Sequence, residues 1–300
     1  MNTRGYSRQD QQGLLGALRT FQYRRRRPIS LLSAFMLMAA VLAPITLIAS
    51  PANAATVNLT DVQAQVRDHK GTLADYTTAS GTDSDNCIRY ATRSPQVAGS
   101  GGASGFISNP KEALTAHGRP SGSGCPSSLD TTKQSAIGVS PVAGSSVTVG
   151  TPFPLSLVTH YNNPIDGSYA SYFTGKLDVK LFGFDSTPTL TYDWRLWETP
   201  NQASPCAFPN GPNSNGCADQ VVFTNQIPNQ ILTKGGASYK LVVNGFSPVT
   251  GSTCPTTMPA NTITQFLTKE SDSSKACIYA TLARVRSLVI KKQVTTPISG

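Results

Sequence analysis

Leu190-Thr191-Tyr192-Asp193-Trp194-Arg195-Leu196-Trp197 carries a large apolar residue at every second position. A period of two is the signature of a β-strand with one face on a core and the other toward solvent. The same reading extends outward in both directions. Phe153, Leu155, Leu157 and Thr159 alternate with Pro154, Ser156, Val158 and His160, and Leu177, Val179 and Leu181 with Lys176, Asp178 and Lys180. Tyr239, Leu241 and Val243 alternate with Ser238, Lys240, Val242 and Asn244, and shorter runs fall at 221–223, 263–268 and 277–282. Gly, Pro and Asn separate these runs, as turns require. The pattern predicts an all-β chain with an antiparallel, jelly-roll-like β-sandwich over residues 134–286. In the opening stretch Trp194 shares the face of Leu190 and Tyr192 and belongs to the core. Trp197 lies on the opposite face with Thr191 and Arg195, where it either packs against a neighbour or offers a stacking platform to a sugar.

Residues 55–133 read differently. They are polar and irregular, with a Gly/Ser-rich stretch at 99–105. One short helix is expected where Asn109 caps, Pro110 takes the first helical position, Glu112 follows in the first turn and Gly118 terminates. A second is expected over 61–69.

Composition limits the possible functions. Hydrophobic residues make up 39% of the chain and charged residues only 14%. That is enough apolar mass for a core, and too little charge for a helix-rich cytosolic surface or a disordered tail. The net charge of +9 is concentrated at one end. Removing the seven arginines and the single Asp10 of residues 1–54 leaves 18 basic and 15 acidic residues. The remaining basic residues are scattered, so a nucleic-acid surface is not expected. Residues 1–54 instead read as a signal peptide: Arg24-Arg25-Arg26-Arg27, an apolar stretch over 29–49, then Ala52-Asn53-Ala54. Cleavage is expected after Ala54; an uncleaved leader would be the one route to a membrane. The expected location is secreted or extracellular, with association with the cell surface as a variant of it.

All six cysteines follow the leader, and there is no C-x-x-C. An even count in an exported chain implies disulfides rather than zinc or redox chemistry. Pairing of sequence neighbours is expected: Cys87–Cys125, Cys206–Cys217 and Cys254–Cys277. The middle pair would close a loop rich in Pro, Asn and Gly.

The strand region also carries a series of ordered short motifs. They run from Thr151-Pro152-Phe153-Pro154-Leu155 through Thr159-His160-Tyr161-Asn162-Asn163-Pro164-Ile165 and Trp197-Glu198-Thr199-Pro200-Asn201. Then come Cys206, Cys217-Ala218-Asp219, Gly235 and Tyr239, Asn244-Gly245-Phe246, Phe266-Leu267-Thr268-Lys269-Glu270 and Ile278-Tyr279-Ala280. This series resembles the T-H-x-N-type choice-of-anchor K domains of bacterial exported proteins, over roughly residues 134–285. The resemblance implies an exported or surface-displayed module without known catalysis. It singles out His160, Asn162, Asn163, Glu198, Asn201 and Asp219 as motif residues, expected to be structural. Residues 287–300 read as a further strand or linker, the start of another surface domain.

Candidate chemistry is sparse. His69 and His117 lie in polar surroundings and are expected to be exposed. His160 ends the strand that begins at Phe153 and is expected to bond to backbone beside Asn162 and Asn163. No G-x-S-x-G or H-E-x-x-H occurs, so no catalytic residue is assigned and the chain is read as a non-enzyme. Asn162, Asp166, Glu198, Asp219 and Glu270 could supply oxygen ligands to Ca²⁺, but no local D-x-D-x-D-G run groups them. No other cofactor is expected. The leading function is adhesion, or binding of a glycan or surface protein. The alternatives are a polysaccharide-active enzyme using Glu198 and Glu270 as acid and base, and a spacer presenting a neighbouring domain.

Overall fold

The computed structural model describes residues 55–73, 76, 85–93, 97–98, 102–168 and 170–285. The expected signal peptide (1–54) and C-terminal strand or linker (287–300) lie outside the described residues. The elements are β1 (Thr56–Asn58), β2 (Asp61–Thr72), β3 (Arg89–Arg93), β4 (Val97–Ala98), β5 (Ile107–Ser108), β6 (Glu112–His117), β7 (Ser135–Pro141) and β8 (Ser146–Thr148). They continue with β9 (Pro152–Asn162), β10 (Tyr172–Phe182), β11 (Leu190–Trp197), β12 (Asp219–Phe223), β13 (Leu232–Lys234), β14 (Ala237–Val249), β15 (Gln265–Thr268) and β16 (Asp272–Val285).

Six strands form one sheet in the order β15-β12-β11-β10-β2-β5, and eight form the other in the order β13-β14-β16-β9-β7-β6-β3-β4. All ladders are antiparallel. β1 and β8 make a separate two-stranded ribbon. The fold is an antiparallel β-sandwich. Its core is the set of inward residues that the alternation marks: Leu177, Val179, Leu190, Tyr192, Trp194 and Leu196 from the smaller sheet meet Ile137, Val139, Leu155, Leu241, Val243 and Ile278 from the larger. Removing this apolar area from water is the main force holding the sheets together.

Both expected helices are strands. In β2, Val62, Ala64 and Val66 are buried while Gln63, Gln65 and Arg67 are half-exposed. That is period two, and pairing with β10 outweighs any helical preference. Asn109 and Pro110 do not start a helix: their peptide bond is cis, and the Asn109 amide donates to Pro141 O at 3.1 Å. The following Glu112–His117 segment is buried on both faces within the larger sheet. Residues 55–133 are therefore not an irregular preface. They supply β2 and β5 to one sheet and β3, β4 and β6 to the other, so the sandwich does not close over 134–286 alone.

Two irregularities decide what reaches the interior. On β2, Asp68 adopts φ 52° and the register with β10 shifts between Thr174 and Lys176. The bulge reverses the inward phase, so after Val66 the next buried side chain is His69. Opposite it stands Gly175, where a Cβ would lie 2.2 Å from the Trp194 ring, so only glycine fits. On β9 the register with β16 shifts between Ile278 and Tyr279. Phe153 and Leu155 face the core, but beyond the shift the core-facing residue is Val158, followed in phase by His160 and Asn162. A β-bulge re-aims every side chain downstream of it.

The three disulfides join Cys87–Cys125, Cys206–Cys217 and Cys254–Cys277, the pairs expected from spacing. The last ties the loop after β14 to β16, where Cys254 and Met258 cover Leu157, Cys277 and Tyr279 on the outer face of the larger sheet.

Candidate functional site

The apolar interior ends in a polar cluster, and strand phase explains its membership. His117 continues the inward series of Ala113 and Thr115 on β6, and Ser135 precedes Ile137 and Val139 on β7. Glu198 follows Leu190, Tyr192, Trp194 and Leu196 at the next inward step beyond β11. Asp219 precedes Val221 on β12, and Thr268 and Glu270 follow Phe266. Asn162 follows His160 on β9. Antiparallel pairing brings the ends of β6, β9, β11 and β15 beside the starts of β7 and β12, so these residues gather at one end of the sandwich. His117, His160, Asn162, Ser135, Asp219 and Thr268 are fully buried, Glu270 is 1% exposed and Glu198 7%.

Glu198 Oε1 is the hub. It accepts hydrogen bonds from His117 Nε2 at 2.8 Å and from the Ser135 hydroxyl, and His160 Nε2 stands 3.3 Å away. Ser135 Oγ in turn pairs with His160 Nε2 at 3.0 Å, and the Thr268 hydroxyl with His160 Nδ1 at 2.7 Å. Asp219 Oδ2 accepts from the Asn162 amide at 2.5 Å and Oδ1 from Thr199 N at 2.6 Å. One ligand-type atom each from His160, Glu198 and Asp219 lie within 4.8 Å of one another.

Burial opposes ionisation of Glu198, but hydrogen bonds from His117 and His160 outweigh it and hold the carboxyl well below its usual range. Asp219 goes the other way: burial, then the Glu198 charge, raise it well above the usual range. Burial and the same charge push Glu270 up to about 7. Neighbouring buried carboxyls do not all ionise together.

A loop over 199–218 covers this end. Asn215 Nδ2 donates to Glu270 O at 3.3 Å, Cys217 N to Asn201 O at 3.3 Å, and the Thr199 hydroxyl to Cys217 O at 3.1 Å. The Cys206–Cys217 bridge closes the loop on itself.

The motif residues named from sequence therefore meet, with some corrections. His160 does not bond to backbone beside Asn162 and Asn163; it bonds to the hydroxyls of Ser135 on the neighbouring strand β7 and of Thr268 in the opposite sheet, because the β9 bulge turns it inward. Asn163 holds the turn instead, donating to Thr131 O at 2.9 Å and Gln134 O at 2.8 Å. His69 and His117 are buried, not exposed. Asp166 stands apart in a turn, accepting from Ser168 N at 2.9 Å. Ser135 escaped notice, Thr268 stood in a motif without a role, and His117 was expected at the surface, although extending each strand's alternation by one step would have found all three.

His69 pairs with the Thr115 hydroxyl at 2.6 Å and packs edge-on to His117, Phe173 and Trp194. The Tyr90 hydroxyl accepts from its backbone N–H. Burial, then His117, lower its pKa well below 6.5, against a smaller opposing pull from Glu198. In the unfolded chain it titrates near 6.5. The unfolded state thus takes up the proton first, and the stability present above pH 6.5 drains away as pH falls below it. Denaturant midpoints measured from pH 8 to pH 5 should decline below about 6.5, and His69→Gln should make the decline shallower. An unchanged slope in the variant would count against this account.

A separate feature is an open groove of about 750 Å³, lined by the outward-facing Lys70, Thr174, Lys176, Asp193 and Arg195 of the smaller sheet and by Tyr76, and also by Tyr90 of the larger sheet and the inward His69 and Trp194. The Arg195 guanidinium sits 4.7 Å over the Tyr76 ring. Tyr76 meets Tyr172 edge-on at 5.1 Å, Tyr172 stacks on its cross-strand partner Trp197 at 5.2 Å, and Phe208 meets Trp197 edge-on at 5.4 Å. Trp197 thus occupies the outer face, as expected, and is half-buried in an aromatic row.

Neither a family model nor a curated protein matches the chain.

Proposed function

We propose that the chain is a non-catalytic bacterial module, exported and working outside or on the surface of the cell, that binds a glycan on the outer face of its smaller sheet. The single observation that carries this reading is the groove of about 750 Å³ lined by Tyr76, whose ring meets Tyr172 and so continues into a row with Trp197 and Phe208 beyond the groove. Sugars are bound by stacking their apolar C–H faces on aromatic rings while charged and amide groups take the hydroxyls. Lys70, Lys176, Asp193 and Arg195 supply those groups here. The three disulfides suit an oxidising extracellular location. The T-H-x-N resemblance supports the same location.

The enzymatic alternative has less support. Glu198 and Glu270 are buried under the 199–218 loop, and neither lines the groove. A general acid or base must reach a substrate atom.

A glycan array probed with the full chain tests the proposal. Binding, compared well below each variant's melting temperature, is expected to weaken about tenfold in Trp197→Ala, equivalent to about 1.4 kcal/mol, and more in Arg195→Ala. Binding that survives both changes would move the site elsewhere. Shortened oligosaccharides released by the wild type but not by Glu198→Gln would favour the enzyme, and an empty array the spacer.

A further inference from the structure

The polar end of the interior contains more acceptors than donors. Glu198, Asp219 and Glu270 bring three carboxyl groups together, and among the described residues no lysine or arginine bridges any of them; the ion pairs that reach Glu198 come from His117 and His160. Hydrogen bonding leaves specific oxygens over. Asn162 is fully buried and its amide nitrogen is spent on Asp219, yet its Oδ1 has no partner. Glu270 is 1% exposed and its Oε1 has none. Asn201 Oδ1, on the covering loop, is a third buried oxygen without a partner. Native proteins rarely leave such atoms unsatisfied, and each carries a desolvation cost. All three can serve as acceptors, and a cation is one partner that would satisfy them.

We propose that Glu198, Asp219 and Glu270, with the side-chain oxygens of Asn162 and Asn201, form a calcium site between the sheet ends and the 199–218 loop. The donors are all oxygen, the set a hard cation prefers. Both ring nitrogens of His160 are already taken by Thr268 and Ser135, which makes a softer, nitrogen-ligated ion such as zinc a poorer match. The loop lies close on the carboxyls. A Cβ at Gly216 would come 3.0 Å from Glu270 Cγ and 3.3 Å from Asn201 Cβ, and φ there is 143°, so a side chain is disfavoured on both counts. The Cys206–Cys217 bridge holds that loop in place before any ion arrives. Calcium would then join β9, β11, β12 and β15 to the loop above them. This site is separate from the outer groove, and neither proposal depends on the other.

The experiment uses the full exported chain, stripped with EGTA and dialysed. Calorimetric titration with CaCl₂ should show one ion per chain, and the melting temperature should rise by several degrees, with MgCl₂ giving much less. Asp219→Asn and Glu270→Gln, checked for folding by circular dichroism without calcium, should lose that rise. Asn201→Ala, on the loop and outside the core, provides a variant that folds and should bind at least tenfold more weakly. The proposal is overturned if the stripped chain gives neither heat nor a melting shift with calcium. It is equally overturned if ZnCl₂ binds in preference to CaCl₂, or if Asn201→Ala and Glu270→Gln both keep the wild-type response.

Discussion

Glu198→Ala is expected to lower the free energy of unfolding by about 3–5 kcal/mol, because removing one partner of a buried charged network strands the others. The stranded groups are His117 Nε2, the Ser135 hydroxyl and His160 Nε2, all fully buried. They come from three strands of the larger sheet, while Glu198 extends β11 of the smaller. The residue therefore ties the two layers together where apolar packing has run out. Glu198→Gln keeps the shape and one acceptor but loses the charge, and should cost less, about 1–3 kcal/mol. Urea midpoints in calcium-free buffer measure both. A loss below about 1 kcal/mol for the alanine variant would place the hub on the level of an exposed ion pair and refute the assignment.

Removing the Cys87–Cys125 bridge by substituting both residues with alanine should cost about 4 kcal/mol, the chain-entropy value for a ring of this size. The bridge spans 38 positions, the longest of the three, and Cys87 is fully buried. It fastens the start of β3 to the loop between β6 and β7. Hydrogen bonds support the same place: Gln134 Nε2 donates to Cys87 O at 2.9 Å and to Gly118 O at 3.1 Å, and Gly118 N to Asn86 O at 2.7 Å. If these bonds alone hold the region, the double variant will melt close to wild type. The entropic account predicts a large fall instead, with the sheet order kept.

The β-sandwich was readable wherever one face of a strand is apolar and the other wet. β11 and β10 announce themselves in that way, and so do the inward residues of β14. β6 did not, because it is buried on both faces and has no polar side to alternate with. β2 was mistaken for a helix over 61–69, though Val62, Ala64 and Val66 already carried the period of two. The polar cluster was legible only in part. Glu198, Asp219 and Glu270 were singled out, as were His160 and Asn162, but Ser135, Thr268 and the inward turn of His117 that join them were not. His69 and His160 sit downstream of bulges, and a bulge depends on the partner strand and on a residue such as Asp68 taking a left-handed conformation. Nothing in the local alternation shows which side of it a histidine will finally face.

Both sheets end on very short strands. The smaller is bounded by β5, of two residues, and β15, of four; the larger by β4, of two, and β13, of three. An exposed edge is a template on which a second chain can add by backbone pairing, and the longer and flatter it is the stronger the template. Here another copy that adds to one of these four terminal strands finds only a few consecutive N–H and C=O groups to pair with. A terminal strand so short gives a neighbouring copy little ladder to extend, while β9, β10 and β16 are paired along both sides by long ladders within the molecule.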